Sequence, residues 1–77
     1  MNVTIYTTQS CPLCQQAKML AKSKNVPYAE VACDSDEDRA ALAAKYPGIR
    51  QFPVIEVNDQ YVGGVAGLQA AFKQLGL

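Results

Sequence analysis

The chain carries two cysteines with two residues between them, in the segment Cys11-Pro12-Leu13-Cys14. Thiols at this spacing suit disulfide exchange, because one thiolate attacks a disulfide and the second displaces the product from the mixed disulfide. Pro12 favours the first turn of a helix, where its missing N–H costs no hydrogen bond. Cys11 is then predicted at or beside the N-cap, where unpaired backbone N–H groups and the helix dipole stabilise a thiolate. We therefore expect Cys11 to be the nucleophile and Cys14, more buried in the first turn, to be the resolving thiol.

Zinc ligation and a structural disulfide are the competing uses of such a pair. A structural zinc ion takes four ligands, whereas the chain offers three cysteines and no histidine. A disulfide across so short a loop would constrain little of the unfolded chain. Redox chemistry is therefore favoured and no metal site is expected. The third cysteine, Cys33, is predicted to be a buried bystander, with a regulatory or dimer-forming thiol as the alternative.

Composition limits what else the chain can do. Its 77 residues predict one domain, 1–77, in which seven Lys and Arg balance seven Asp and Glu. A net charge of zero argues against binding to nucleic acid or to a membrane surface. No stretch is long and apolar enough to span a membrane, and the first residues lack the pattern of a secretory signal. We expect a monomer in the cytoplasm, where closely spaced cysteines are usually redox catalysts or metal ligands.

Seven secondary-structure elements are predicted around the cysteine pair, in the order β-α-β-α-β-β-α. Strands are indicated by β-branched and aromatic residues, and helices by apolar residues at three- and four-residue spacing. The strand-helix-strand start predicts a parallel pair, and Asn58-Asp59 marks a hairpin that adds antiparallel partners. We therefore expect an α/β fold in which three helices cover both faces of one four-stranded mixed sheet. The predicted strands are Val3–Thr7, Tyr28–Cys33, Val54–Val57 and Gln60–Val62; the predicted helices are Pro12–Lys24, a segment from the acidic run Asp34–Asp38 to just before Pro47, and Gly67–Leu75.

Four short segments, in this order and at this spacing, give the chain a resemblance to a known family. They are Ile5-Tyr6-Thr7, Cys11-Pro12-Leu13-Cys14, Phe52-Pro53-Val54 and Gly63-Gly64. The chain resembles a small dithiol glutaredoxin. The resemblance implies a thioredoxin-like fold, glutathione as the reductant, no bound cofactor, and protein disulfides or glutathione-mixed disulfides as substrates. It also implies the same roles for the two cysteines as their spacing does.

The resemblance further implies which residues bind glutathione and the substrate. Pro53 matches a family position that holds a cis-proline, an ordinary trans proline being the alternative. A proline that opens a strand leaves the backbone of Phe52 free to pair with an extended substrate. Gly63 and Gly64 precede the last helix, whose N–H groups suit a glutathione carboxylate, although a plain glycine turn is also compatible. The predicted binding set is Tyr6, Pro12, Leu13, Arg50, Gln51, Phe52, Pro53, Gly63 and Gly64.

Three positions depart from the family pattern. Thr8 stands where the family usually has a lysine, Leu13 where it has a tyrosine, and Ala66 where it has an acidic residue for the amino end of glutathione. Loss of that acidic residue removes a charge-assisted contact of about 1.5–3 kcal/mol unless another group replaces it. Arg50 and Gln51, just before Phe52, are candidates to hold the glycine carboxylate of glutathione.

Two other functions are open, the first of them because of these departures. The first is a glutaredoxin-like hydrogen donor for ribonucleotide reductase that is recharged by thioredoxin reductase. The second is an iron–sulfur carrier, in which two chains share a cluster through Cys11 and glutathione supplies the remaining thiolates. Pro12 stiffens the loop and Cys14 competes by forming a disulfide, so the sequence favours the carrier least.

Overall fold

The computed structural model describes residues 1–49 and 51–77 and contains the seven predicted elements in the predicted order. The sheet order is β2-β1-β3-β4. Strand β1 pairs parallel with β2 and antiparallel with β3, and β3 pairs antiparallel with β4. The elements are β1 (Val3–Thr7), α1 (Pro12–Ser23), β2 (Tyr28–Ala32), α2 (Asp36–Lys45), β3 (Val54–Val57), β4 (Gln60–Gly63) and α3 (Val65–Gln74).

One face of the sheet packs against α1 and α3. Alternate residues of β1 point to this face, and Val3 and Ile5 are buried there. From the helices, Ala17, Leu68 and Phe72 complete the same cluster. No helix in the described residues is long and apolar enough to cross a membrane. This face therefore carries the main apolar core, and it fixes α1 with the cysteine pair at its beginning.

The opposite face packs against α2 and has a smaller apolar cluster. Ser35 caps α2 by accepting a hydrogen bond from the Asp38 backbone N–H, and acidic residues fill the first turn as predicted. The helix buries one side chain, Leu42, whereas α1 buries three. Leu42 packs with Cys33 and Val54, and partly buried aromatic residues surround them.

The predicted element boundaries hold to within two residues. Strand β2 ends at Ala32, so that Cys33 follows it rather than closing it. Helix α3 begins at Val65 instead of Gly67, because Gly64 is its N-cap. The hairpin turn is confirmed, since Asn58 and Asp59 adopt φ angles of 52° and 66°, as a tight turn between twisted strands requires.

Candidate active site

The cysteine pair sits at the beginning of α1, as its spacing predicts. Cys11 is the N-cap, and its Sγ accepts a hydrogen bond of 3.1 Å from the Cys14 backbone N–H. Pro12 opens the helix. Cys11 is partly exposed, whereas Cys14 is only 1% exposed. The two sulfurs form a disulfide with the Cα atoms 5.2 Å apart, so the structure represents the oxidised state. The more accessible sulfur is therefore the one that faces backbone donors.

The charge environment of Cys11 comes from the helix rather than from a lysine on it. The first turn of α1 contains no acidic residue, so no carboxylate there opposes the positive end of the helix dipole. Lys18 is 17% exposed and pairs with Glu30 of β2 at 3.1 Å. The hydrogen bond from Lys18 is the main reason that the pKa of Glu30 lies below its usual value. The charge of Lys18 is thus neutralised by Glu30. Lys18 therefore does not take the place of the lysine that the family usually has at position 8.

The peptide bond between Phe52 and Pro53 is cis, which confirms that expectation. Phe52 is half-buried and Pro53 is buried at the start of β3. Gly63 has a φ angle of +100°, a conformation that L side chains rarely adopt. A Cβ atom at Gly64 would lie 3.9 Å from the Pro53 carbonyl oxygen, so the N-terminus of α3 lies against the cis-proline. The structure therefore brings together two of the predicted binding segments.

The remaining predicted binding residues lie in different parts of the structure. Leu13 is 48% exposed next to Cys11. Gln51 is exposed and lines an open cleft of about 570 Å³ together with Tyr61. Arg50 lies outside the described residues. Tyr6 packs on the α2 face in the cluster that includes Phe52, and its contact with a substrate stays a prediction.

Arg39 of α2 is a candidate site residue that no feature of the sequence predicts. One guanidinium nitrogen, Nη2, lies 3.4 Å from the Thr8 Oγ1 atom in the loop before α1. The same side chain lines a cavity of about 250 Å³ with Ile49 and Phe52. A cation from α2 thus reaches the position where the resemblance expected a lysine at residue 8. The sequence carried no signal for this contact, because the two residues are 31 positions apart.

Glu56 of β3 forms a second unpredicted cluster. It is only 4% exposed and accepts hydrogen bonds from the hydroxyl groups of Tyr6 and Tyr46. The Lys45 ammonium pairs with it at 2.7 Å. Burial alone would raise the pKa of the Glu56 carboxyl, but the hydrogen bonds from Lys45 and Tyr46 outweigh burial and lower that pKa. We call Tyr6, Lys45, Tyr46 and Glu56 the Glu56 cluster.

Cys33 is buried, as the sequence predicted. It is 2% exposed, and its backbone N–H donates to the Thr7 carbonyl oxygen at 2.7 Å. Burial, with smaller contributions from Asp38 and Asp34, raises the pKa of its thiol. Among residues 1–49 and 51–77, no three His, Cys, Asp or Glu side chains converge as a metal site. Among the described residues, Cys11 and Cys14 are joined in a disulfide, whereas Cys33 is free.

Comparison with known proteins agrees with this geometry. The Glutaredoxin family model matches residues 3–62. The chain is 41% identical to a probable glutaredoxin of Synechocystis, over 88% of the chain and 78% of that protein. It is 36% identical to glutaredoxin 3 of Escherichia coli K12, over 99% of the chain and 92% of that protein.

Solved structures show the same likeness in three dimensions. Glutaredoxin 1 from Francisella tularensis superposes with a TM-score of 0.80 at 30% identity, covering 99% of this chain and 98% of that one. The glutaredoxin-like NrdH-redoxin from Escherichia coli, described as having a thioredoxin-like activity profile, gives 0.72 at 27% identity, covering 92% of each chain. With its paired cysteines at the N-terminus of α1, the chain belongs to the glutaredoxin family of thiol–disulfide oxidoreductases with the thioredoxin fold.

Proposed function

We propose that the protein is a glutathione-dependent dithiol glutaredoxin that reduces protein disulfides and glutathione-mixed disulfides. The observation that carries the proposal is the asymmetry of the cysteine pair. Cys11 is accessible and accepts a hydrogen bond from the backbone of α1, whereas Cys14 is buried one helical turn away. A sulfur held in this way is the better thiolate, and its neighbour is shielded from direct attack by other disulfides.

The reaction proceeds by two exchanges at sulfur. The Cys11 thiolate attacks a substrate disulfide, a bond forms between Cys11 and one substrate sulfur, and the other substrate sulfur leaves as a thiolate. The Cys14 thiol, once deprotonated, attacks Cys11, forms the Cys11–Cys14 disulfide and releases the second substrate thiol. Two glutathione molecules then reduce this disulfide and leave as glutathione disulfide. The oxidised structure corresponds to the enzyme before this last step.

The surroundings of Cys11 support glutathione as the thiol that binds there. The cis-proline and the N-terminus of α3 lie against each other, and Gly64 has no side chain to occupy the first turn of that helix. Backbone N–H groups at a helix start suit a carboxylate. Arg39, between the loop before α1 and Phe52, supplies a cation for a second carboxylate. Glutathione carries two carboxylates and a short extended backbone, and it matches these three features.

A coupled assay tests the proposal directly. Reduction of a glutathione-mixed disulfide is followed through glutathione reductase, with the wild-type protein, Cys11→Ser and Cys14→Ser. The wild type should turn over, Cys11→Ser should be inactive, and Cys14→Ser should keep activity on the mixed disulfide while losing most reduction of protein disulfides. A wild-type protein that shows no turnover with glutathione would refute glutathione dependence.

The alternative of recharging by thioredoxin reductase has its own support. Leu13 is an exposed apolar side chain between the cysteines, and Thr8 and Ala66 lack the charges usual in the family. The likeness to NrdH-redoxin points the same way. We propose ribonucleotide reductase as the target only under this alternative. Incubating the oxidised protein separately with glutathione and with thioredoxin reductase plus its nicotinamide donor decides between the two electron sources.

A further inference from the structure

Helix α2 is attached to the sheet mainly by polar contacts. It buries a single side chain, Leu42. At the end nearer the cysteine pair, Arg39 reaches Thr8, and Asp34 just before the helix accepts the Gln9 backbone N–H at 3.0 Å. The other end of α2 is held by the Glu56 cluster. Its position over the sheet therefore depends on a few hydrogen bonds rather than on a broad apolar interface.

The Glu56 cluster places a carboxylate in an otherwise apolar, buried strand. Strand β3 is buried along its whole length, and the neighbours of Glu56 in that strand are Ile55 and Val57. A buried ion pair usually gives no more stability than well-packed apolar side chains of similar volume. The carboxylate instead fixes the relative position of two elements, because one oxygen binds a group of β1 and the other binds groups at the end of α2.

The contacts continue from Glu56 towards the segment before the cis-proline. Tyr46, which donates to Glu56, is the C-cap of α2, and its N–H donates to the Leu42 carbonyl oxygen at 2.8 Å. The Tyr46 carbonyl oxygen accepts the Ile49 N–H at 3.2 Å. Ile49 lines the same cavity as Arg39 and Phe52. On its other side the Tyr46 ring packs on Tyr61 of β4, with ring centroids 4.9 Å apart. Glu56 thus holds the turn at 46–49, which leads into the segment before the cis-proline.

We propose that Glu56 is a positioning residue for substrate binding, which holds the end of α2 and the turn at 46–49 so that Arg39, Ile49 and Phe52 face the substrate of Cys11. Glu56 itself touches no reacting atom. It lies in β3 on the α2 face, whereas Cys11 and Cys14 belong to the helix on the opposite face. Loosening α2 should therefore weaken substrate binding and leave the chemistry of the thiolate unchanged. This inference rests on the proposed function in one respect, namely that the substrate lies against the Arg39–Phe52 side of the site.

The test compares two variants that make the same chemical change at two carboxylates of the sheet. Glu56→Gln removes the negative charge of the Glu56 cluster and leaves the positive charge of Lys45. Glu30→Gln is the matched control, since Glu30 also pairs with a lysine but contacts α1 and β1 rather than α2. Steady-state reduction of a glutathione-mixed disulfide separates KM from kcat, and thiolate absorbance gives the pKa of Cys11. Amide hydrogen exchange over residues 36–49 reports the attachment of α2 without any substrate.

We expect Glu56→Gln to raise KM roughly three- to tenfold, with kcat changed by less than about twofold, as for the loss of a positioning interaction. The pKa of Cys11 should not change, and exchange through α2 should accelerate. Glu30→Gln should change neither KM nor exchange in α2. If Glu56→Gln does not fold, Tyr46→Phe removes one donor from the same carboxylate and should raise KM in the same way.

An unchanged KM in a folded Glu56→Gln or Tyr46→Phe protein overturns the proposal. So does a fall in kcat at constant KM, which would place the effect in the chemistry. Failure of the proposed function is distinguishable, because it appears as absent turnover in the wild type. In that event hydrogen exchange still reports whether Glu56 holds α2: unchanged exchange over residues 36–49 in Glu56→Gln overturns the proposal.

Discussion

Replacing Arg39 with methionine should weaken substrate binding while leaving the Cys11 thiolate intact. The substitution keeps the length of the side chain and removes its charge. In the structure the guanidinium group reaches Thr8, pairs with the fully exposed Asp36 at 3.9 Å and lines a cavity with Phe52, so a carboxylate of the bound thiol can replace Asp36 as its partner. Its loss should therefore appear in KM rather than in kcat.

The exposure of Arg39 sets the size of the effect. A hydrogen bond between charged groups contributes about 1.5–3 kcal/mol when it is shielded from water. Exposed ion pairs contribute only about 0.2–1 kcal/mol. The Arg39 side chain is 51% exposed, so we take an intermediate value of about 0.5–1.5 kcal/mol, which corresponds to a rise in KM of roughly two- to twelvefold. The wild-type KM should also rise with salt, since solvent-exposed charges are screened, and the variant should lose most of that dependence.

The assay is reduction of a glutathione-mixed disulfide at low and high ionic strength, with Lys24→Met as the matched control. Lys24 is the exposed C-cap of α1, about 20 Å from Cys11 along the helix axis. If Arg39→Met and Lys24→Met raise KM equally, the effect on substrate binding comes from the overall charge of the protein and not from the position of Arg39. A KM for Arg39→Met that matches the wild type at both ionic strengths would refute the assignment of Arg39 to the binding site.

Three further outcomes follow from burial and charge. Because Cys33 is buried and burial raises the pKa of its thiol, iodoacetamide at neutral pH should label Cys11 of the reduced protein and leave Cys33 unmodified. Mass spectrometry of the digested protein should show labelled Cys33 only after denaturation. Phe72→Ala should lower the free energy of unfolding by about 3–5 kcal/mol, because Phe72 is among the largest fully buried side chains, whereas Lys73→Ala should change it by less than about 0.5 kcal/mol; guanidinium denaturation measures both. The Glu56 carboxyl has a pKa below its reference value of 4.5, so its stabilising contribution is complete above that pH and is lost as the pH falls through the lower folded value. The urea midpoint should therefore fall less between neutral and strongly acidic pH for Glu56→Gln than for the wild type. If the midpoints of the two proteins fall in parallel, Glu56 is not stabilised as a carboxylate in the folded protein.

Local signals were sufficient to predict most of the fold and the centre of the site. Cys11 as an N-cap and Pro12 in the first turn depend on neighbours within one helical turn. The Asn58-Asp59 turn depends on two residues that tolerate positive φ. With these elements fixed, the short connections left few ways to arrange four strands and three helices.

The contacts that the sequence did not reveal join residues far apart in the chain. Arg39 meets Thr8 only because α2 lies over the loop before α1, and neither residue carries a periodic signal for it. Glu56 in the middle of an apolar strand gave no indication that Tyr6 would donate to it from 50 residues away. Helix α3 begins two residues before the predicted Gly67, because Gly64, which has no side chain to cap a helix, is a weak N-cap signal.

The proposed reaction requires that the N-terminus of α1 keeps the Cys11 sulfur ionised at neutral pH. Ultraviolet titration of the reduced Cys14→Ser variant follows the Cys11 thiolate, because burial raises the pKa of the other remaining thiol, Cys33. We expect a first transition below pH 7, against about 8.5 for an unperturbed cysteine, together with rapid alkylation by iodoacetamide. A single transition at or above about 8.5, with alkylation no faster than for free cysteine, would contradict it.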